Sequence, residues 1–361
     1  MTSTPVPVNG TSPAARFLKV LSLLVTAVVI SGLVVACSSE SPEGSNTKTL
    51  ELSHVQTATD FAFFHVFATE FQSNVREYSR GELDVQIIPA GQLGGERVMA
   101  EGLQLGTTDS AIISSFQLGN FTAPLLTFDL PFLLPDYDVA NQILRSESAM
   151  EPFNQALREV GMVPLAWGNG GFRSMISNTP GVETAEDLRD IKIRLPESRV
   201  YMEAFKELGA NPLPMAFGEV VPALQQGTID ATENSLQGIY EQRWFEVASE
   251  ISLTEHFFSP IPMLIDERIW AGFSPEEQKI LRKAAIDAAN YEHEFLTETH
   301  DEAKALLREE GVSFSQPNTD ELRKDTYPLY RSFLEGENGE YLEHVLRETN
   351  QAHLIEDIYR A

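Results

Sequence analysis

The sequence predicts an α/β protein of two lobes, and three observations support this fold class. Strand-like and helix-like segments alternate from residue 50 onward, an order that predicts parallel strands joined by crossover helices. The same rhythm repeats after residue 170, and strand-like segments around residues 250–270 carry the chain back toward the first unit. An unbroken helical stretch follows that is longer than one lobe is wide. A chain of 361 residues is long enough for two medium-sized domains.

The first lobe is assigned to residues 50–170 together with roughly 256–273. It opens with the strand TLELSHV, after which Phe64, Phe67 and Phe71 recur at helical spacing until Gly81 ends the helix. The segments ELDVQIIPAG and TDSAIISS are typical of strands, with the helix GERVMAEGLQLG between them.

The second lobe is assigned to residues 171–255. Two strands, MVPLAW and FRSMIS, lead into it, and the glycine cluster between them indicates a close approach of two backbones. IKIRLP and IDATEN are further predicted strands, and SRVYMEAFKELG and EVVPALQQG are predicted helices. ISLTEH and PMLIDERIW are two strands that return the chain to the first lobe.

A long helix is predicted over residues 274–311. Ser274 is its N-cap, Pro275 takes the first helical position, and Glu277 completes a capping box. A helix of this length would brace both lobes, although two helices with a kink near Thr297 fit the same pattern. Residues 312–361 are predicted to form further amphipathic helices.

The N-terminus has the pattern of an export signal. In residues 1–36, Arg16 and Lys19 precede an apolar run that ends in small residues, as in a signal peptide. A transmembrane anchor is the weaker alternative, because the run is short for a bilayer. The sequence VVAC resembles a lipobox with Cys37 as the acylated residue, but VVA also suits an ordinary signal peptidase. Residues 37–49 form a polar linker, and we expect a periplasmic or extracytoplasmic protein.

The mature chain is strongly acidic. Removal of Arg16 and Lys19 changes the formal charge from −27 to −29, since residues 1–36 contain no acid. Such a surface repels nucleic acid, and membrane association is expected only through a lipid on Cys37. Cys37 is the single cysteine, so no internal disulfide can form. Because cations are few in so acidic a chain, each arginine near a cleft is a stronger candidate for binding an anion.

The sequence contains no recognisable catalytic constellation. It has no G-x-S-x-G turn and no phosphate-binding loop, and HEFLT lacks the second histidine of a zinc-protease helix. His293 and His300 are interpreted as surface residues of the long helix. We therefore expect no enzyme activity, no cofactor and no metal site.

Arg194 is the strongest candidate for ligand binding. In DIKIRLP, Ile193 and Leu195 face one side of a predicted strand and Arg194 the other. A solvated edge is the ordinary explanation for one arginine in a strand. However, the strand ends at Pro196, and open α/β sheets bind ligands at the carboxyl ends of their strands. A guanidinium in that place is suited to a small carboxylate.

Several segments together resemble TRAP transporter solute-binding proteins, which are extracytoplasmic receptors for organic acids. They are PAGQLGGERVMAEGLQLGTTDSAI, FDLPFLLPD, GGFRSMISN, DLRDIKIRLPES, LGANPLPMAFGEVVPALQQGTIDATENS and SLTEH, in the family's order from about residue 50 to 310. The resemblance implies a two-lobed periplasmic-binding-protein fold with a long helix spanning both lobes. It also implies hinged closure around the ligand and delivery to a TRAP membrane permease driven by an ion gradient.

The resemblance implies six substrate-binding residues: Arg194, Arg173, Asn234, Phe217, Ser114 and His54, with Ser53 as an alternative to His54. Arg194 matches the carboxylate clamp, in the K-x-R-x-P strand, and Asn234 matches its hydrogen-bonding neighbour. Two departures from the family pattern, DIKIR and DATEN, concern backbone packing.

Each assignment has an ordinary structural alternative. Arg173 could pair with an acid such as Glu183, Asn234 could be a helix N-cap, and Phe217 could belong to the core. The expected ligand is a C4-dicarboxylate or a sugar acid, which the sequence does not distinguish. The alternative function is a receptor that presents its ligand to a membrane signalling partner.

Overall fold

A computed structural model describes residues 47–360. The predicted signal peptide and the candidate lipidation site, Cys37, lie outside the described residues. No helix within residues 47–360 combines the length and the apolar character needed to cross a bilayer.

Nine strands of the described residues form one mixed sheet. They are β1 (Lys48–Ser53), β2 (Leu83–Ile88), β3 (Ser110–Ile112), β4 (Met162–Ser177), β5 (Lys192–Leu195), β6 (Asn211–Pro214), β7 (Ala231–Asn234), β8 (Glu250–Asp266) and β9 (Ser313–Ser315). The order across the sheet is β2-β1-β3-β8-β4-β7-β5-β6, with β9 beside β8. The strands β1, β2 and β3 pair in parallel, as do β5, β6 and β7, so the predicted parallel units are confirmed.

The described residues also form fourteen α-helices. They are α1 (Phe63–Tyr78), α2 (Glu96–Leu105), α3 (Ser115–Leu118), α4 (Tyr137–Arg145), α5 (Glu147–Arg158), α6 (Arg199–Glu207), α7 (Val220–Gln225), α8 (Leu236–Glu241), α9 (Glu267–Ala271), α10 (Pro275–Glu309), α11 (Thr319–Asp325), α12 (Tyr327–Glu335), α13 (Gly339–Glu348) and α14 (Leu354–Arg360). Short 3-10 turns lie at Ala123–Asp129, Ala185–Leu188, Phe217–Glu219 and Trp244–Glu246.

Two pairs of predicted strands are in fact single long strands. MVPLAW and FRSMIS both belong to β4. ISLTEH and the first five residues of PMLIDERIW both belong to β8, which pairs with β4 in antiparallel fashion, whereas ERIW is wrongly predicted as strand and begins α9. The glycines between the first two segments do not break the strand, because they let β8 approach. A Cβ on Gly170 would lie 2.5 Å from the carbonyl oxygen of Ser259, so the predicted close approach of backbones is confirmed.

The central β4–β8 pair separates the two parallel units of the sheet. The predicted lobe boundaries, after residues 170 and 255, fall inside these two strands. The β4–β8 register shifts between Asn169 and Phe172 and again between Arg173 and Met175, and Glu255 has a φ of 44°. Such bulges bend a strand pair locally. A division into lobes at these bulges remains our prediction.

The long helix α10 is one uninterrupted helix rather than two. The predicted capping box is present: Glu277 N–H donates to Ser274 Oγ at 3.3 Å, and Ser274 N–H donates to Glu277 Oε2 at 2.6 Å. Its 35 residues make it about 52 Å long at the usual rise.

Helix α10 packs into two separate hydrophobic clusters. Its first half places Leu281 and Ala288 against α1, β1 and β2, and its second half places Ala303 and Leu307 among residues of α7, α8 and β8. The helix thus spans both parallel units and confirms the fold class.

His293 of α10 is buried, so its interpretation as a surface residue is wrong. Its Nε2 lies 2.9 Å from the Trp167 carbonyl oxygen of β4, and its Nδ1 accepts a hydrogen bond from Arg145 Nε at 3.2 Å. Burial lowers the pKa of His293 to about 4. The histidine is therefore neutral at pH 7 and ties α10 to β4.

Replacing Gly170 by alanine should destabilise the protein, because the new Cβ would collide with the backbone of β8. We expect a loss of about 1–3 kcal/mol in the free energy of unfolding, measured by urea unfolding. Gly218→Ala is the matched control: nothing lies within 4 Å of the Cβ it would carry. Equal unfolding midpoints for the two variants would contradict the proposed packing.

Acidification should destabilise the protein partly through His293. The unfolded chain takes up a proton near the ordinary pKa of 6.5, whereas the folded chain does so only near pH 4. The contribution of His293 to the free energy of unfolding is thus fully present above pH 6.5. Between pH 6.5 and about pH 4 it falls by up to about 1.4 kcal/mol per pH unit. Calorimetric melting of His293→Gln at pH 7 and pH 5 should show a shallower decline than wild type. The exposed His353→Gln variant should keep the wild-type decline.

Candidate functional site

A cavity of about 540 Å³ lies where the parallel strands end. Its wall includes residues one or two positions after the ends of β1, β2, β3, β5 and β6, namely Val55, Ala90, Ser114, Pro196 and Ala216, together with Asn234 at the end of β7. The carboxyl ends of both parallel units therefore face one space. This is the place in which open α/β sheets bind ligands, and the volume is typical of a small-molecule site.

Arg194 is buried in this cavity wall, with 2% of its surface exposed, so the solvated-edge alternative is wrong. Its Nε and Nη2 both donate to the Met215 carbonyl oxygen, at 3.0 and 2.6 Å. Among residues 47–360, no acceptor bonds Nη1, and no carboxylate lies within ion-pairing distance. Burial lowers the pKa of Arg194 to about 10, which still leaves the side chain charged at pH 7. The cavity therefore contains a cation without a direct counter-ion.

Arg173 lies in the same wall but has a counter-ion of its own. Its Nη2 donates to Glu233 Oε1 at 2.9 Å, and its Nε donates to Glu233 Oε2. Burial opposes both charges, but their attraction prevails: the pKa of Arg173 is raised and the pKa of Glu233 is lowered. The acid expected from the sequence, Glu183, is not the partner, because Glu233 lies across the β4–β7 pairing from Arg173.

His256 completes this buried group from β8. Its Nε2 lies 3.7 Å from Glu233 Oε2, and its Nδ1 lies 2.6 Å from Thr254 Oγ1. Burial lowers the pKa of His256 to about 4, so the imidazole is neutral at pH 7. The net charge of Arg173, Glu233 and His256 together is thus zero.

Asn234 has a fixed orientation in the wall. Its Oδ1 accepts hydrogen bonds from Arg173 Nη1 at 3.1 Å and from Ser235 N–H at 2.9 Å. The amide nitrogen is therefore the group left to donate to a ligand. The N-cap of α8 is Ser235, whose Oγ accepts the Gly238 N–H, so the N-cap alternative for Asn234 is wrong.

Two further predicted residues, Phe217 and Ser114, also line the cavity. The Phe217 ring is half-buried and lies 5.8 Å from the Trp244 ring, between centroids. Ser114 is buried, and its N–H donates to Glu96 Oε1 at 2.6 Å. Five of the six predicted site residues thus surround one space.

His54 does not line the cavity, and neither does Ser53. The His54 ring is fully buried behind the wall, with its Nε2 3.2 Å from His65 Nδ1. Burial, and then the charge of His65, lower the pKa of His54 to about 3. The position that we predicted for a ligand contact in the first lobe is instead a buried histidine that contacts the half-buried His65.

Several lining residues were not predicted from sequence. The cavity wall also includes Gln56, Glu96, Gln117 and Ser259. Glu96 lies within GGERVM, a segment of the family resemblance, but its sequence neighbours give no sign of a buried carboxyl. Burial raises the pKa of Glu96 above its ordinary value. Gln117 and Ser259 belong to a short helix and a long strand, and nothing in either local pattern marks them.

Several hydrogen bonds connect residues of the two predicted lobes, and two of them involve cavity-lining residues. Thr57 Oγ1 donates to Glu241 Oε1, and Asn120 Nδ2 donates to the Glu197 carbonyl oxygen at 3.0 Å. The Phe61 and Tyr240 rings add an edge contact, with centroids 5.4 Å apart. These contacts join residues of the two predicted lobes next to the cavity wall.

The chain belongs to the bacterial extracellular solute-binding proteins, family 7, which it matches over residues 52–337. It is 32% identical to the 2,3-diketo-L-gulonate-binding periplasmic protein of Escherichia coli K12, over 69% of this chain and 75% of that protein. It is 28% identical to the C4-dicarboxylate-binding periplasmic protein of Rhodobacter capsulatus, over 68% of this chain and 74% of the relative.

A solved structure shares this fold. The TRAP periplasmic solute-binding protein from Polaromonas sp. JS666, bound to D-erythronate, superposes with a TM-score of 0.79 at 29% identity. The match covers 82% of this chain and 98% of the other. These relatives are binding receptors rather than enzymes, so the chain is a solute-binding protein of the TRAP type.

Replacing Glu233 by glutamine should leave Arg173 charged, buried and unpaired. Breaking one side of a buried ion pair typically costs about 3–5 kcal/mol, so we expect a clear fall in melting temperature and in the free energy of unfolding. Glu197→Gln, which removes a cavity-lining acid outside any ion pair, is the control and should change stability by less than about 0.5 kcal/mol. Equal melting temperatures would show that Glu233 does not neutralise Arg173.

Proposed function

We propose that this protein captures a small organic carboxylate, a C4-dicarboxylate or a sugar acid, in the cavity at the strand ends. Arg194 grips the carboxylate in a bidentate fork through Nη1 and Nη2, and Asn234 Nδ2 donates a further hydrogen bond. The lobes close by a hinge at the bulges of β4 and β8, and the loaded receptor delivers its ligand to an ion-gradient-driven TRAP membrane permease. The chain is exported by residues 1–36, and Cys37 is the candidate site of a lipid anchor.

The observation that carries this proposal is the unpaired, buried charge of Arg194. A buried cation without a counter-ion is costly to maintain, and a bound carboxylate removes that cost. Water is excluded from a closed cleft, which strengthens the ion pair. Micromolar affinity corresponds to about −8 kcal/mol, a value within reach of one such pair supported by neutral contacts.

The relatives support the same class of ligand. The Escherichia coli protein is named for 2,3-diketo-L-gulonate, the Rhodobacter protein for C4-dicarboxylates, and the Polaromonas structure holds D-erythronate. All of these ligands carry at least one carboxylate. The TRAP membership of the relatives favours transport over the alternative of a receptor that presents its ligand to a signalling partner.

Truncating Arg194 should abolish high-affinity binding. A thermal-shift screen against succinate, malate, gluconate, glucuronate and galacturonate first identifies a ligand, because binding raises the melting temperature by mass action. Calorimetry with that ligand should show a loss of about 2–5 kcal/mol for Arg194→Ala. Arg194→Lys should also bind poorly, since an ammonium lacks the planar fork.

The control for this experiment lies on the same strand. Lys192 is an exposed cation of β5, two residues before Arg194, and forms an ion pair with Asp230 at 3.8 Å. Lys192→Ala should bind the identified ligand as wild type does. Near-wild-type affinity of Arg194→Ala would remove the arginine from the site and with it the proposed clamp.

A further inference from the structure

We infer that Glu292 of α10 is a positioning residue for ligand capture. Its buried carboxyl holds the β4 bulge at Asn169 in the shape that places Gly170 and Arg173 in the cavity wall. This inference rests on the proposed function, since it concerns the same cavity. Glu292 itself does not line that cavity, so it acts through the backbone of β4.

The bulge in β4 shapes the wall of the cavity. Between Asn169 and Phe172, two glycines of β4 lie opposite a single residue of β8, Ser259. The second of these glycines, Gly171, has a φ of 82°, in the left-handed region that favours glycine. The first, Gly170, lines the cavity, and so does Ser259. Because bulges change the direction in which nearby groups point, the shape of this one decides which atoms of the two central strands the ligand meets.

Side chains hold three backbone N–H groups of this bulge. The Asn169 N–H donates to Glu292 Oε2 at 2.8 Å. The Gly171 N–H donates to Asn169 Oδ1 at 2.7 Å, and the Phe172 N–H donates to Tyr137 Oη at 3.4 Å. The last two acceptors belong to β4 itself and to α4, whereas Glu292 belongs to the helix that packs against both parallel units. Glu292 therefore ties the bulge to the long helix.

Two consecutive residues of α10 contact β4 on either side of Gly168. Glu292 accepts from the N–H that follows this glycine, and His293 Nε2 lies 2.9 Å from the carbonyl oxygen that precedes it, that of Trp167. A Cβ on Gly168 would lie 2.9 Å from Phe67 Cδ1, so α1 packs closely against the same segment. These contacts fix the position of β4 relative to the helices immediately before the bulge.

A carboxyl at position 292 is unfavourable for folding alone. The same face of α10 carries Ala288, Ala289 and Leu296, which are buried in an apolar cluster. Glu292 is fully buried as well, and its Oε1 has no hydrogen-bond partner within residues 47–360. Burial raises the pKa of Glu292 well above its ordinary value, which reflects the cost of placing a carboxyl there. The bond to the Asn169 N–H is what this carboxyl provides in return.

Removing the acceptor should weaken ligand binding, and keeping it should preserve binding. Glu292→Leu leaves the buried Asn169 N–H without its side-chain acceptor, so the bulge relaxes and the wall residues beside it move. We expect the dissociation constant of this variant to rise about tenfold. Glu292→Gln retains a side-chain oxygen with the same reach, so its dissociation constant should lie within about twofold of the wild-type value.

Two measurements on the full-length protein test the inference. Calorimetric titration with gluconate, glucuronate, galacturonate, malate and succinate compares the affinities of the variants for each acid that wild type binds. Hydrogen–deuterium exchange of the ligand-free protein reports the protection of the Asn169 N–H. That protection should be lost in Glu292→Leu and kept in Glu292→Gln, because only the leucine removes the acceptor.

Two control variants distinguish positioning from a general loss of stability. Glu298→Leu makes the same substitution at an exposed acid of α10 and should keep wild-type affinity and wild-type exchange. Leu346→Ala truncates a buried side chain of α13 that does not line the cavity. It should lower the melting temperature but keep wild-type affinity at a temperature at which every variant is folded. Melting of each ligand-free variant sets that temperature.

The outcomes separate this inference from the proposed function. Wild-type affinity, or wild-type protection of the Asn169 N–H, in Glu292→Leu would overturn the positioning role; if Arg194→Ala still fails to bind, the carboxylate receptor stands. A Glu292→Gln variant that binds as weakly as Glu292→Leu would also overturn it, because the acceptor oxygen would then not be the group that matters. Absence of binding by every acid to wild type would overturn the proposed function and, with it, this inference.

Discussion

The buried, uncompensated charge of Arg194 is the constraint to which the rest of the site is adapted. A guanidinium away from water and without a carboxylate partner is unfavourable, and one carbonyl oxygen, that of Met215, bonds two of its nitrogens. The neighbouring Arg173 does not add to the problem, because Glu233 neutralises it. Arg194 is thus the arginine of this buried group that remains without a carboxylate partner.

The surrounding charge makes a local site of this kind necessary. The chain has a formal net charge of −27, so its distant field repels anionic ligands. Salt screens that field within about 8–10 Å at ordinary ionic strength, whereas a partner inside a low-dielectric cavity interacts strongly over a few ångströms. Capture of an anion therefore depends on the interior of the cleft. The acidic surface contributes solubility instead.

The scaffold brings the two halves of the wall together through three long elements. The strands β4 and β8 run through the centre of the sheet, and α10 packs against hydrophobic residues of both parallel units. His293 and the β4–β8 bulges lie along this central region. The closure that we propose would bend these long elements at the bulges and leave both parallel units folded. Hydrogen bonds from Thr57 and Asn120 join residues of the two predicted lobes beside the cavity.

Local sequence was sufficient to predict the alternation of strands and helices, the capping box of α10 and the position of Arg194 at a strand end, because each depends on periodicity or on near neighbours. It did not predict that β4 and β8 are continuous, that His293 is buried, or that Glu233 neutralises Arg173. Nor did it mark Glu96, Gln117 and Ser259 as wall residues. These features depend on burial and on contacts between residues far apart in the chain, so the charge balance of the cavity exists only once the strands are paired.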